Sequence, residues 1–213
     1  MPDGATELKK GRKFDQVLDG ARKVFMSDGY EGASVDDIAR AAGVSKATLY
    51  SYFPDKRFLF MQVAKTACQR QTEHAIETID INAPARQVLH KIASEMVEFI
   101  TSEFGTRVFR VCVGESERFP ELAREFYACG PMLIRERMAD FFHLAMERGE
   151  LQIDDVALAA DQFHELCKAD LFSRIVFSMA KTFTRAEKDR TIDGAVDMFM
   201  ARYGVAPKSA DAQ

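Results

Sequence analysis

Between residues 34 and 53 the chain arranges hydroxyls, a lysine and two tyrosines around a helical face that carries almost no bulk. At about 100° per residue, Leu49 and Phe53 share one side. Ala47 and Ser51 then point almost directly away from it, with Thr48 and Tyr50 on the shoulders. The chemistry open to such a face is close-range hydrogen bonding to a flat polar partner. Small residues let a helix backbone approach base edges in a major groove. Thr48 offers a hydroxyl and a methyl to a thymine, and Lys46 reaches toward a guanine from the N-terminal end. The hydroxyls of Tyr50 and Tyr52 have the length needed for phosphate oxygens. Lys56 stands at the start of a following helix, whose free amides already favour an anion. Ser34 and Ser45, at the starts of the two short helices, complete the candidate DNA-contact set. Lys9, Lys10, Arg12 and Lys13 make a cationic arm able to follow a minor groove or phosphates.

The elements that must position these groups are legible from caps and periods. Ser34 stands where an N-cap belongs, with Asp37 three residues on in a variant of the capping box. Val35, Ile38, Ala39 and Ala42 form the buried side of a short helix that Gly43 stops. Ser45 opens a second helix through Phe53, and Pro54 cannot continue it because it lacks an amide hydrogen. Two short helices joined through Ala42-Gly43-Val44 have helix-turn-helix geometry, in which the second helix enters the groove and the first crosses the backbone. The same turn also occurs in all-α proteins that bind no DNA, where Tyr50 and Tyr52 are rim residues of an amphipathic helix.

Ahead of this unit, Phe14, Val17, Leu18, Ala21, Val24 and Phe25 step by three and four, giving a helix that ends near Asp28-Gly29. After it, Asp55 caps a connecting helix carrying Leu59, Phe60, Val63, Ala64 and Ala67. Beyond Asn82-Ala83-Pro84 the helical period returns, with an interruption expected at Gly105 and divisions at Pro120 and Gly130-Pro131. Gly149 is a natural stop. One long helix is expected over 156–179, and a last one opens on a Thr184/Glu187 capping box, with Ile192, Ala195, Val196, Phe199, Met200 and Tyr203 along one side. Asp19-Gly20 and Asp193-Gly194 resemble hairpin turns, yet their flanks keep the helical period. The reading is all-α: an N-terminal helix-turn-helix domain over 1–57, a helical effector-binding and dimerisation domain over 58–205, and a frayed tail over 206–213.

Composition narrows the partners. The 213 residues are 47% hydrophobic and 29% charged, which excludes a disordered or collagen-like chain. No apolar run exceeds five residues, against the roughly 20 that a spanning helix needs, so no membrane partner is expected. The N-terminus lacks a secretory pattern, which predicts a cytoplasmic location. The net charge of −4 argues against nucleic acid when taken alone, but residues 1–65 hold 11 basic and 9 acidic side chains against 18 and 24 in the remainder. A cationic end on an acidic body fits local phosphate binding. The four cysteines, at 68, 112, 129 and 167, neither pair as Cys-x-x-Cys nor sit at zinc spacing with a histidine, so neither metal nor cofactor is expected.

The residues Phe25, Gly29-Tyr30, Gly32, Ser34, Asp37-Ile38-Ala39, Ala42-Gly43-Val44-Ser45-Lys46, Thr48-Leu49-Tyr50, Tyr52-Phe53 and Lys56 resemble the N-terminal signature of TetR/AcrR-family transcriptional regulators. The match spans about residues 10–60 and departs at Ala47, where the family often carries glycine. Residues 107–119 (RVFRVCVGESERF) with Pro120-Glu121-Leu122-Ala123-Arg124-Glu125-Phe126-Tyr127 are similar to the AefR-like C-terminal domain. The resemblance implies a homodimeric repressor whose last two long helices form a four-helix interface, and whose reading heads separate when a ligand enters the C-terminal domain. Carried onto this chain, that interface is Phe163, Cys167, Asp170, Leu171 and Arg174 on one helix, with Ala195, Phe199 and Arg202 on the other.

An effector cavity among the middle helices would be lined by Met96, Phe99, Phe109, Cys112, Phe141, Phe142 and Phe163, with His143, His164, Arg110 or Glu115 as polar handles. The same spacing describes ordinary core packing. Cys112 and Cys167 lack a neighbouring base in sequence and read as inert thiols. An enzyme is disfavoured: there is no Gly-x-Ser-x-Gly, no phosphate-cradling glycine loop and no His-Glu-x-x-His. The reading is therefore a ligand-responsive regulator, its expected partners being double-stranded operator DNA, a small apolar or amphipathic effector and a second copy. The alternatives are a small-molecule binding protein or enzyme without DNA binding, and a dimerising regulator that no longer reads DNA.

Overall fold

A computed structural model describes residues 11–206. Lys9, Lys10 and nearly all of the expected tail lie outside the described residues. The chain divides into two compact units: the described residues up to Gln69 together with Val111–Phe126, and Arg70–Arg110 together with the residues from Tyr127 onward.

The first unit is built on α1 (Arg12–Gly32), α2 (Val35–Ala42), α3 (Lys46–Tyr52) and the first half of α4 (Lys56–Thr78). Phe14, Val17, Leu18, Ala21, Val24 and Phe25 form the buried stripe of α1. Arg12 and Lys13, expected in a cationic arm, are its first two exposed residues. Gly29, at φ +74°, interrupts helical geometry near the predicted end. Gly20 serves a close crossing: a Cβ there would lie 2.7 Å from both the Cβ and the backbone nitrogen of Ala42. Only a bare α-carbon lets α1 and α2 approach this closely.

The predicted cut after residue 57 falls inside this unit. Leu59, Phe60, Met61, Val63 and Ala64 of α4 are buried. The Phe60 ring packs edge-on against Phe25 and Tyr30, at 5.1 and 5.2 Å between centroids. Apolar rings on both sides of residue 57 share one core, so no boundary forms there.

The second unit comprises α5 (Ala85–Thr101), α8 (Leu133–Glu147), α9 (Val156–Leu166), α10 (Leu171–Val176) and α11 (Arg185–Tyr203). α6 (Glu103–Gly114) and α7 (Pro120–Tyr127) cross from one unit to the other. Phe199 is the centre of the second core, stacked on Phe142 at 5.1 Å and edge-on to Phe163 at 5.1 Å, with Tyr203 at 4.8 Å. Thr184 and Glu187 close the capping box that opens α11.

Three expected boundaries shift. The long helix over 156–179 is broken at 167–170, where Asp170 takes φ +63°, and α10 follows as a separate turn and a half. The apolar period continues through that break, so the sequence gives no sign of it. The interruption expected at Gly105 falls instead at Ser102, and Gly105 lies buried inside α6 with Phe99 O only 2.2 Å from where its Cβ would be. Gly130-Pro131 does not end a helix. It sits in a π-helical segment (Ala128–Met132) that joins α7 to α8, the wider turn accommodating the missing proline amide.

Candidate nucleic-acid interface

Each of the two short helices, α2 and α3, opens on a serine hydroxyl cap. Ser34 Oγ accepts from the Asp37 amide at 3.1 Å, and its own hydroxyl donates to the Asp37 carboxylate. Gly43 closes α2 in the left-handed region at φ +65°, where its N–H reaches the carbonyls of Ala39 and Arg40. Ser45 Oγ accepts from the Thr48 amide at 3.1 Å and lies 2.9 Å from Thr48 Oγ1. These caps satisfy amides that a short helix would otherwise leave open, and so hold α3 at a defined angle to α2.

The faces divide as the sequence predicts. Leu49 and Phe53 are fully buried, whereas Lys46, Ala47, Tyr50 and Ser51 are exposed and Thr48 is half-buried. Ser51 donates to Thr48 O at 2.7 Å, which folds its hydroxyl onto the helix and keeps the outer face slim. Tyr52 is half-buried, with its ring edge-on to Phe14 at 5.9 Å, so it belongs partly to the core.

Two cations are differently placed from what their sequence positions suggest. Lys56 turns toward the end of α1, donating to Tyr30 O at 2.8 Å, Ala33 O at 3.2 Å and Glu31 O at 3.5 Å, above the Tyr30 ring. A cation among the carbonyls that leave a helix is favourably placed. This ammonium ties the start of α4 to the last turn of α1 and its C-cap Ala33. Lys46 Nζ is paired with Asp36 Oδ1 at 2.5 Å, across the turn. Nothing in the sequence announces Asp36, since two residues ten apart on different helices share no periodic signal.

Two carboxylates of the head, Asp37 and Asp55, are held below their usual pKa. Hydrogen bonds from the Ser34 hydroxyl and the Arg40 guanidinium keep Asp37 below its usual pKa. Burial pushes Asp55 up, but the Phe58 amide and the Arg57 guanidinium outweigh it and the group stays below the usual range. Burial, with Glu115 adding to it, pushes the Tyr30 phenol up to about 12, so it remains protonated. Arg57 also lies 3.9 Å over the Phe119 ring, within the same unit.

In the second unit the candidate effector residues split. Met96, Phe141, Phe142 and Phe163 are packed into one buried core. Phe99 and Phe109 are half-buried, Phe109 edge-on to Phe172 at 4.8 Å. Cys112, though buried, falls in the first unit. Of the polar handles, His143 is exposed on α8. Arg110 is engaged with the carbonyls of Ile175 and Val176 at the end of α10. Burial holds the His164 imidazole below its usual pKa. Burial also pushes the Cys167 thiol up to about 12, the behaviour of an unreactive core cysteine.

The interface stripe implied by resemblance needs correction. Phe163, Cys167, Leu171, Ala195 and Phe199 are buried inside a single chain, where a second copy cannot touch them. Each helix carries one strongly apolar side, and that side is used for the protomer's own core. Asp170 and Arg174 pair with each other at 3.1 Å, and Arg174 also holds Glu187 at 3.0 Å. Arg202 is exposed.

Among the described residues no group of three or more His, Cys, Asp and Glu side chains is placed to hold a metal, and no helix is long and apolar enough to cross a membrane. Two capped short helices with a slim polar outer face, among described residues that are mostly helical, form a helix-turn-helix unit. The comparisons narrow the class. Residues 87–205 match the model of the AefR-like transcriptional repressor C-terminal domain, and residues 17–63 match that of the tetR family of bacterial regulatory proteins. The chain belongs to the TetR family of transcriptional regulators, which are not enzymes.

A TetR-family regulator from Mesorhizobium loti superposes with a TM-score of 0.84 at 28% identity, covering 91% of this chain and 98% of that one. The flavonoid-responsive regulator FrrA is 32% identical, with a TM-score of 0.71 over 93% of this chain and 100% of its own. The repressor AcnR of Corynebacterium efficiens is 36% identical over 73 residues, 34% of this chain and 39% of AcnR. The chain spans less than half the length of several curated relatives it matches.

Proposed function

We propose that the protein is a homodimeric repressor that binds a two-fold operator through α3 and is released by a small apolar or amphipathic effector. The observation that carries the reading is the division of α3: Leu49 and Phe53 are sealed in the core while Ala47 and Ser51 stand open on the opposite side, with Tyr50 exposed on its shoulder. An outer face built from small and hydroxyl residues has no purpose in packing, but fits close approach to base edges. Lys46, Thr48, Ala47 and Ser51 face the bases in this reading. Tyr50, Tyr52, Ser34 and Ser45 set the register on phosphates, and Lys56 secures the segment that carries them.

Dimerisation is assigned to the outer sides of α9 and α11. Leu158 is 50% and Met198 62% exposed, and Ala201 and Arg202 extend the same side of α11. Gly194 lies on this side with nothing within 4 Å of where its Cβ would be. A glycine inside an exposed helix costs about 1 kcal/mol relative to alanine. With none of the described residues crowding it, its use fits close approach by a second helix. Two heads then meet DNA at half-sites about 34–36 Å apart, or a multiple, a spacing that an effector can upset. The repressor role draws support from the likeness to AcnR, and an amphipathic aromatic effector from the likeness to FrrA.

The test is duplex binding by variants of the outer face. Tyr50→Phe is expected to weaken all sequences alike, and Thr48→Ala to change base preference at one position of each half-site. Uniform loss in the Thr48 variant would remove its assigned role, and absence of any duplex complex at low ionic strength would refute the reading.

A further inference from the structure

We infer that Asp36 is a specificity-determining residue: it competes with DNA for Lys46, and so suppresses attachment to arbitrary phosphates. The inference rests on the DNA-binding reading above. It starts from an unfavourable placement. Lys46 is the first residue of α3, where the positive end of the helix dipole repels a cation. Asp36, in the first turn of α2, where a carboxylate is favoured, supplies the compensating charge at 2.5 Å.

Both side chains are more than half exposed, 58% for Lys46 and 55% for Asp36, so the pair is not locked in the interior and can open. The other cation between residues 34 and 53 is treated alike: Arg40 is paired with Asp37 at 2.6 Å. The reading unit thus carries two aspartates, one arginine and one lysine, and no net charge.

The consequence follows from what each DNA partner offers in exchange. A free lysine at the front of α3 would gain from any phosphate through counterion release, irrespective of sequence. A lysine already paired with a carboxylate exchanges one anionic partner for another, which cancels most of that gain. The aspartate left behind is repelled by the backbone. Only a site that adds a base-edge acceptor in register, such as guanine O6 or N7, makes the exchange favourable. Asp36 therefore turns Lys46 from a phosphate anchor into a base reader.

The experiment compares wild type, Asp36→Asn, Lys46→Gln and the double variant on two probes. One is the segment of DNA flanking the protein's own gene that wild type protects in footprinting; the other is a mixed-sequence 30-base-pair duplex lacking it. Asp36→Asn is expected to bind the mixed-sequence duplex about two- to fivefold more tightly, the range typical of an exposed ion pair. The slope of log affinity against log salt should steepen by about one per head. The protected segment should gain less, so discrimination falls, and Asp36→Glu should restore it. In the Lys46→Gln background the gain should vanish. An equal gain with and without Lys46, or no gain at all, overturns the inference while leaving the DNA-binding reading intact. Failure of wild type to bind either duplex overturns both.

Discussion

Replacing Phe199 and its neighbour Met198 separates core from interface on adjacent residues of α11. Phe199 is 1% exposed and contacts three aromatic rings, whereas Met198 is 62% exposed. Phe199→Ala removes a buried ring and leaves a cavity among Phe142, Phe163 and Tyr203, at a cost of about 3–5 kcal/mol. In a chain of this length each kcal/mol shifts the melting midpoint by roughly 2–4 °C, so a fall of about 6–20 °C is expected in thermal denaturation followed by circular dichroism. Met198→Glu leaves the protomer fold within about 0.5 kcal/mol, because the side chain packs on little in its own chain. It places a charge in the proposed interface, and light scattering after size exclusion should show a subunit affinity at least about tenfold weaker. The reasoning is refuted if Phe199→Ala leaves the helical fold intact and its melting unchanged but splits the dimer, since Phe199 would then be a contact between copies.

Three further outcomes follow from the same geometry. Gly20→Ala, which raises helix propensity, should nonetheless destabilise by about 1–3 kcal/mol in urea unfolding, because the new Cβ meets Ala42 backbone at 2.7 Å; a stabilised variant would contradict the close crossing. Lys56→Met should cost about 1.5–3 kcal/mol in stability, the usual worth of charge-assisted hydrogen bonds, as three carbonyls at the end of α1 lose their donor. An unchanged melting curve with weakened DNA binding would instead make the residue a phosphate contact alone. His164 gives a pH dependence of fixed sign. Its folded pKa lies below the ordinary value near 6.5, so below that pH the unfolded chain holds a proton that the folded chain refuses. Stability should fall as pH drops from 6.5 through the lowered folded value, and His164→Gln should flatten that part of the profile.

The parts legible in the sequence are those governed by local rules. Ser34, Gly43, Ser45 and Thr184 announce helix ends through chemistry that acts within four residues, and each performs the capping its type suggests. The division of α3 into a sealed and an open face follows from the helical period alone. What was hidden depends on contacts distant in sequence. The apolar stripe of α11 looks the same whether it packs on its own protomer or on a partner, so the sequence cannot separate Phe199 and Ala195 as core from the interface positions that the resemblance implies. The break at Asp170 leaves the apolar period intact, and the pairing of Asp36 with Lys46 crosses a turn between helices. Lys56 illustrates a related limit. Its position ahead of α4 suggested an anion partner, but carbonyls 23 to 26 residues earlier in the chain claim its ammonium.

The most direct measurement is protection of DNA flanking the protein's own gene, combined with the mass of the complex at increasing salt. The expected result is a protected segment with two-fold sequence symmetry, its half-sites about 34–36 Å or a multiple apart, bound by two copies with affinity that falls steeply as salt rises. A single copy bound, or no protection even at low ionic strength, would contradict it.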